Sequence, residues 1–496
     1  MDHCIKVLFM AAEAEPYVKV GGLADVAGSL PLALRRIQAN HPTDPSYDIR
    51  LVLPLHHSSR INPDQLHQVA EFSVHTLKGD IPARAYQVDL EGMPVYFING
   101  DPISSTFSIY SMNLELDQQR YGFFSLAALE MLRHLDWQPD ILHANDWHTS
   151  LALYAIKTGY APQREGNPTR TVLTLHNLPF MGGDACKTIS LFRLKPIVDE
   201  SLPNWARTFP LPLGLWAADA IIPVSPTYAS EIQTPEYGNG LEDFLCGRNE
   251  SISGILNGLN VDSYNPEKDA SLKVRFSTNT LELRQANKTA LQTKLGLPVA
   301  DHTPLLAMVG RIDLQKGQDI VFEVLRGYSE HEWQFVLLGT GDPHLENEAL
   351  NLQSEFPSRV RAVLSYDGGL ARLIYAGADI FLMPSRYEPC GLSQMIAMHY
   401  GCVPIVHATG GLIDTVEEGK TGFLFEKAAP VNLQKTLDQA LRTYLDRGQW
   451  EDLQRNGMVK DFSWTKSARE YAVIYRSLTS LESVAPRMEN PANSGA

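Results

Sequence analysis

Lys6-Val7-Leu8-Phe9-Met10-Ala11-Ala12 reads as a buried strand, Glu13 to Val18 as a loop, and Lys19-Val20-Gly21-Gly22-Leu23 as the start of a helix. The helix runs over 23–36, with Leu23, Val26, Ala27, Leu30 and Leu34 on one face. Unbonded N–H groups at a helix start attract an anion, and glycines let a ligand approach the backbone closely. Lys19 adds a positive charge just before the glycine pair. The segment predicts a phosphate-recognising turn at the first strand–helix connection of an α/β sheet. The plainer alternative is a tight turn carrying a surface lysine, and the segments downstream weigh against it.

The chain has 496 residues, beyond the size at which a single core keeps growing, so two domains are expected. Hydrophobic residues make up 44 % and charged residues 20 %, an ordinary balance for a globular chain. The net charge of −15 argues against a nucleic-acid partner, because no Lys/Arg-dense stripe is present to neutralise phosphates. An anionic ligand must instead meet a few local cations. Cys4, Cys186, Cys246, Cys390 and Cys402 are scattered without CxxC spacing, which argues against a disulfide framework or a structural zinc site. No apolar run reaches membrane-spanning length, and the N-terminus has no basic region of signal-peptide type. No membrane partner and a cytoplasmic location are expected.

Apolar runs alternate with helical patterns throughout. Strands are expected at 49–53, 95–98, 141–143, 171–174 and 220–224, then at 305–309, 334–338, 360–364, 380–383 and 403–406. Helical patterns between them include 121–135, 319–328 and 370–376. Such alternation implies parallel sheets with helices on both faces. The rhythm restarts near residue 300, after a turn-rich segment around Tyr264-Asn265-Pro266, which places a hinge at 257–270. Two doubly wound domains are expected to face each other across a cleft, with ligands outside the carboxyl ends of the strands.

Val309-Gly310-Arg311-Ile312-Asp313-Leu314-Gln315-Lys316-Gly317 follows a strand and precedes a helix. A guanidinium and an ammonium in that loop can clamp a diphosphate and stabilise it as a leaving group. Met383-Pro384-Ser385-Arg386-Tyr387-Glu388-Pro389-Cys390-Gly391-Leu392 repeats the pattern and puts Glu388 near the helix that Gly391 opens, where a carboxylate can accept hydrogen bonds from sugar hydroxyls. Thr409-Gly410-Gly411-Leu412 supplies another set of backbone N–H groups. In the first half, His143-Ala144-Asn145-Asp146-Trp147-His148 and Leu175-His176-Asn177 both end strands and carry groups suited to hydroxyls. His143, Asp146 and His148 have metal-ligating types but no HExxH-like spacing, and no metal is expected. Gly339-Thr340-Gly341 starts like a dinucleotide fingerprint, but His344 stands where its third glycine belongs. Gly419-Lys420-Thr421 resembles the end of a P-loop, but Asp414 stands where its first glycine belongs.

Taken in order, the Lys-x-Gly-Gly-Leu, His-x-Asn-Asp-Trp-His, Leu-His-Asn, Val-Ser-Pro-Thr-Tyr, Asn-Gly-Leu-Asn, Gly-Arg-x5-Lys-Gly, Glu-Pro-Cys-Gly-Leu and Thr-Gly-Gly-Leu segments resemble the bacterial glycogen synthases and plant starch synthases. These are retaining glycosyltransferases that extend α-1,4-glucan from ADP-glucose. The resemblance implies an α/β fold of GT-B architecture with two Rossmann-like, doubly wound parallel-sheet domains. They are an acceptor domain over 1–265 and a donor domain over 266–464, with a helix over 465–482 crossing back and a disordered tail over 483–496. It implies that Lys19, Arg311 and Lys316 bind the donor diphosphate and that Gly22, Gly410 and Gly411 offer it backbone N–H groups. Tyr366 would stack on the adenine, Glu388 would bind the donor glucose, and the backbone carbonyl of His176 would lie near the anomeric carbon. Asp25, Asn257, Cys390, Gly391, Leu392 and Thr409 would join the donor site, and Asp146 and Asn177 the sugar or acceptor site. ADP-glucose and glycogen or maltooligosaccharide are the implied partners, as substrates, with no separate cofactor.

The chain departs from the family pattern at Pro179-Phe180-Met181, at Leu211-Pro212-Leu213-Gly214, at Asn260 and Tyr264, around His407-Ala408, and at Ile396, where many relatives of this architecture carry a second glutamate. These departures keep two alternatives in view. One is a related hexosyltransferase using UDP-glucose or a small acceptor; the other is a catalytically impaired glucan-binding regulator.

Overall fold

The computed structural model describes residues 4–37, 45–105, 107–111, 113–160 and 168–480. The expected tail over 483–496 lies outside them. The described chain divides into two compact units. Within Met1–Ile222, Cys246–Ile252 and Ser467–Ala496 the described residues form unit 1, and Pro223–Leu245 with Ser253–Lys466 form unit 2.

Unit 1 is built on β1 (Cys4–Met10), β2 (Ser46–Pro54), β3 (His67–Thr76), β4 (Gly79–Leu90), β5 (Met93–Gly100), β6 (Ile141–Asn145), β7 (Arg170–Leu175) and β8 (Ala220–Pro223). Their order in the sheet is β3-β4-β5-β2-β1-β6-β7-β8. β1 lies centrally, parallel to β2 and β6, and is buried without a break from Val7 to Met10. This is why it reads as a continuous apolar run. The parallel strands expected for the first domain are joined at one edge by antiparallel pairs, β3 with β4 and β4 with β5. β3 alternates between wet and buried positions, as a strand with one solvated face does, and an eye set for apolar runs passes over it. The helix Gly22–Arg36 buries Leu23, Val26, Ala27, Leu30 and Leu34.

Unit 2 contains β9 (Leu305–Val309), β10 (Gln334–Leu338), β11 (Val360–Val363), β12 (Ile380–Met383), β13 (Val403–His407) and β14 (Phe423–Phe425), in the order β11-β10-β9-β12-β13-β14. All its pairings are parallel, and alternate residues of the strands, such as Leu306 and Met308, pack one face of the sheet against Phe322, Leu325, Trp333, Leu352, Leu433 and Trp450.

The boundary expected at 265/266, with its hinge at 257–270, does not coincide with this division. After β8 the helix Pro226–Glu231 is fastened within unit 2: Ser225 Oγ donates to the Pro389 carbonyl at 2.6 Å and Thr227 Oγ1 to Asp414 Oδ1 at 2.7 Å. The turn-rich segment is fixed there too, since Asp269 accepts from the Arg372 guanidinium at 3.0 Å and the Tyr400 hydroxyl at 2.5 Å. The helix Trp464–Ser480 enters unit 1 at Ser467, where the Tyr475 hydroxyl meets His143 Nδ1 at 2.5 Å.

Candidate active site

In unit 1 the candidate groups sit at the carboxyl ends of β1, β6 and β7. Asp146 follows β6 with a left-handed φ of +52° and opens the helix Asp146–Lys157. That conformation turns its carboxylate toward the end of β7, where Oδ1 accepts the His176 N–H at 2.7 Å. Burial pushes the Asp146 carboxyl up to about 7, against the lowering effect of the His176 and Asn177 N–H groups. His176 Nε2 lies 2.9 Å from Asn145 Oδ1, and Asn145 Nδ2 is committed to the Met10 carbonyl at 2.9 Å. The amide oxygen is therefore the acceptor, His176 carries its proton on Nε2, and Nδ1 is left as an acceptor. Burial pushes the imidazole down to about 3, so it is neutral at pH 7. Asn177 Oδ1 and His148 Nδ1 are buried without a hydrogen-bond partner among the described residues. His143 spends both ring nitrogens on Tyr475 and on Thr174 Oγ1 at 2.7 Å. Among the described residues no three His, Cys, Asp or Glu side chains gather to hold a metal ion.

The Lys19 turn differs from the expectation. Lys19 Nζ pairs with Glu15 Oε1 at 2.9 Å and Asp25 Oδ1 at 2.8 Å. The Val20 and Gly21 N–H groups, which lie just before the helix, donate to the Glu13 carboxylate. Gly22 is the first residue of its helix.

In unit 2 the loops leaving the adjacent strands β9 and β12 are stitched together. The Arg386 N–H donates to the Gln315 carbonyl at 2.8 Å and Gln315 Nε2 to the Tyr387 carbonyl at 3.2 Å. A Cβ on Gly317 would stand 2.4 Å from the Pro384 carbonyl oxygen, so only glycine permits this approach. The stitching brings Lys316 Nζ to 2.6 Å from Glu388 Oε2, which also accepts from Ser385 Oγ at 2.9 Å. Arg311 is more exposed and pairs with Asp313 at 2.8 Å. The glycines of the fingerprint look-alike serve the same purpose: Cβ atoms on Gly339 and Gly341 would strike the carbonyl oxygens of Gly310 and Ile312.

The Gly410–Gly411 turn does not offer its N–H groups outward, a correction to the sequence reading. Gly410 N–H donates to Glu231 Oε1 at 3.0 Å, alongside Thr409 Oγ1 at 2.8 Å, and Gly411 N–H donates to the Glu388 carbonyl at 3.1 Å. The same turn thereby seats the backbone of Glu388. The helix expected to open at Gly391 begins at Ser393, with Leu392 as its cap; Gly391 is a turn residue at φ +73°. Cys390 is buried, and burial pushes its thiol up to about 12, which makes it an unreactive packing group. Asn257 Oδ1 is buried without a partner among the described residues, and Tyr366 is 83 % exposed. The residues that sequence reasoning missed are Glu13, Tyr110, Glu231 and Ser385. Glu13 carried a legible sign, an acid directly after the apolar run Val7 to Ala12.

Two of the departures meet in space. The Leu211 N–H donates to the Met181 carbonyl at 3.1 Å, and a Cβ on Gly182 would strike both the Trp147 ring and Pro210. Tyr264 lies under the Arg372 guanidinium at 4.4 Å, and His407 Nδ1 meets the Ser385 carbonyl at 2.7 Å, one residue type thus supporting the Glu388 loop from β13.

Residues 6–246 match the starch synthase catalytic domain family, and residues 294–457 match the glycosyl transferases group 1 family. The glycogen synthase of Thermotoga maritima is 40 % identical over 488 residues, which cover 95 % of this chain and 98 % of that protein. The glycogen synthase of Syntrophotalea carbinolica is 38 % identical, covering 96 % and 99 %. Among solved structures, the catalytic domain of starch synthase IV from Arabidopsis thaliana, bound to ADP and acarbose, superimposes with a TM-score of 0.86 at 32 % identity, covering 96 % of this chain and 99 % of that one. Sucrose-phosphate synthase from Thermosynechococcus elongatus, at 18 % identity and a TM-score of 0.61, shares the fold. Among the described residues no helix is long and apolar enough to cross a membrane. With two parallel-strand α/β units of GT-B type and relatives matched over nearly their whole length, the chain belongs to the glycogen synthase and starch synthase family of glycosyltransferases.

Proposed function

We propose that the protein transfers glucose from ADP-glucose to the 4-hydroxyl at the non-reducing end of an α-1,4-glucan, with retention of the α configuration. The observation that carries this reading is the Lys316–Glu388 pair, a cation and a carboxylate held 2.6 Å apart at the carboxyl ends of adjacent strands. A cation there suits a departing diphosphate, and a buried carboxylate beside it suits the hydroxyls of the attached sugar. The family relationship supports the reaction class, and the ADP and acarbose bound to the starch synthase IV domain support the donor base and a glucan-like acceptor.

In this reading the C1–oxygen bond to the diphosphate breaks with its electron pair passing to ADP, whose charge Arg311, Lys316 and Lys19 offset. The acceptor oxygen bonds to C1 from the same face, and its proton passes to the departing phosphate oxygen. In unit 1, neutral His176, Asp146 and Asn177 offer hydrogen-bonding groups to sugar hydroxyls; in unit 2, Asn257 offers its carbonyl and Tyr366 a ring for the base. No pair of carboxylates is assigned to a glycosyl-enzyme route of the glycosidase type. A cytoplasmic location fits a nucleotide-sugar substrate.

Transfer of labelled glucose from ADP-glucose, with UDP-glucose in parallel, to glycogen and to maltooligosaccharides tests the proposal. Faster extension from ADP-glucose is expected. No extension from either donor by a folded protein that still binds nucleotide sugar would favour a small acceptor or an impaired regulator.

A further inference from the structure

Glu13 is 2 % exposed and lies three residues beyond the end of the central strand of unit 1. Such a carboxylate survives burial only when its oxygens are satisfied. Oε2 accepts the Val20 N–H and, at 3.1 Å, the Gly21 N–H; Oε1 accepts the Tyr110 hydroxyl at 3.1 Å and lies 3.2 Å from Gly21 N. The Tyr110 ring packs 5.0 Å from the ring of His148, two residues beyond Asp146. One side chain thus ties the Lys19 turn to the cluster at the ends of β6 and β7. Lys19 itself pairs with Glu15 and Asp25, but the glycines that follow it, Gly21 and Gly22, are exposed, and Glu13 holds the Val20 and Gly21 backbone.

We infer that Glu13 is a positioning residue for the donor diphosphate: it fixes the backbone of the Lys19–Gly22 turn, and through it the lysine, without touching the donor. The inference rests on the proposed role of Lys19 as a diphosphate ligand. It also gives the Val20 and Gly21 N–H groups to the fold and not to a ligand. A positioning role depends on acceptor geometry more than on charge. In Glu13→Gln the amide oxygen can still accept both backbone N–H groups while the amide nitrogen donates to the Tyr110 oxygen. In Glu13→Ala both N–H groups lose their acceptor.

The test is ADP binding by calorimetry together with steady-state transfer from ADP-glucose to glycogen, on the full chain. Glu13→Ala is expected to weaken ADP binding and raise the KM for ADP-glucose about tenfold, with the KM for glycogen unchanged, and Glu13→Gln to stay within about threefold of wild type. Unchanged ADP affinity in Glu13→Ala would overturn the inference. So would tighter binding, which would make Glu13 a competitor for the turn, and so would a glutamine variant as impaired as the alanine one, which would make its charge the active feature. If Glu13→Ala does not fold, Tyr110→Phe decides, because it keeps the ring on His148 and drops one tie; about a threefold loss of ADP affinity is expected, and none would overturn the inference. A wild type that binds ADP but extends no glucan defeats the functional proposal and leaves the Glu13 inference to the binding data. A wild type that extends glucan beside an unaffected alanine variant defeats the inference alone. A wild type that binds no ADP ends both.

Discussion

Of the three Gly-Gly-Leu tripeptides in the chain, Gly21-Gly22-Leu23 in unit 1 and Gly410-Gly411-Leu412 in unit 2 each start a helix with a glutamate from elsewhere on the backbone. The glycines are there for different reasons. At Gly21 the backbone is extended, and a Cβ would stand 3.4 Å from Glu13 Oε1, an ordinary contact. At Gly410 φ is +45° and a Cβ would stand 2.0 Å from the Glu388 carbonyl oxygen; at Gly411 it would stand 2.2 Å from the Cys390 carbonyl oxygen. The first turn is held by a side chain that wraps it, the second by the backbone it must let pass. The electrostatics differ in the same way. In unit 1 Glu13 is buried and Asp25 and Asp146 are partly buried, and desolvation raises all three carboxyls, that of Asp25 despite its pair with Lys19. In unit 2 Glu388 is offset by a full ammonium.

Three substitutions sharpen this contrast. Gly410→Ala combines a left-handed backbone with a backbone clash and would displace Glu388; a shift on the order of 1 Å there should lower kcat by roughly 10²-fold. Steady-state kinetics alongside a melting curve check it, and near-native turnover would show that the turn does not seat Glu388. Asp146→Asn has a smaller, pH-dependent effect. The folded-state value of about 7 lies above the ordinary 3.8, so native Asp146 keeps a proton that the unfolded chain has lost. Its contribution to stability is full below about pH 3.8 and is lost as pH rises through 7. The stability of the asparagine variant relative to wild type should therefore increase between pH 4 and 7, by at most about 1.4 kcal/mol per pH unit, and level off above. Denaturant unfolding across that range gives the answer, and a constant difference would mean an ionised Asp146 throughout. Gly21→Ala should do least, with stability changed by less than about 1 kcal/mol and the donor KM by less than about threefold, because φ is negative and the site has room. A loss as large as that of Gly410→Ala would erase the distinction between the turns.

The strands of both parallel regions were legible because buried parallel strands are apolar throughout, as Val7–Met10 and Leu305–Met308 are. β3 and β4 were not, since an antiparallel strand with a wet face interleaves polar residues. The positions of Lys316 and Glu388 at strand ends were legible, but not that they meet, since 72 residues separate them. The glycine turns were read as open to an anion for a related reason. Sequence displays the donors of a turn but hides the acceptor that folds onto it, whether 8 residues away, as Glu13 is from Gly21, or 179, as Glu231 is from Gly410.

The most direct measurement on the central claim is turnover of Lys316→Ala with ADP-glucose and glycogen, with ADP affinity and melting temperature determined on the same sample. If the Lys316–Glu388 pair is where the diphosphate leaves, kcat falls by roughly 10²–10³-fold while the fold persists. Turnover equal to wild type in a folded variant would contradict the account.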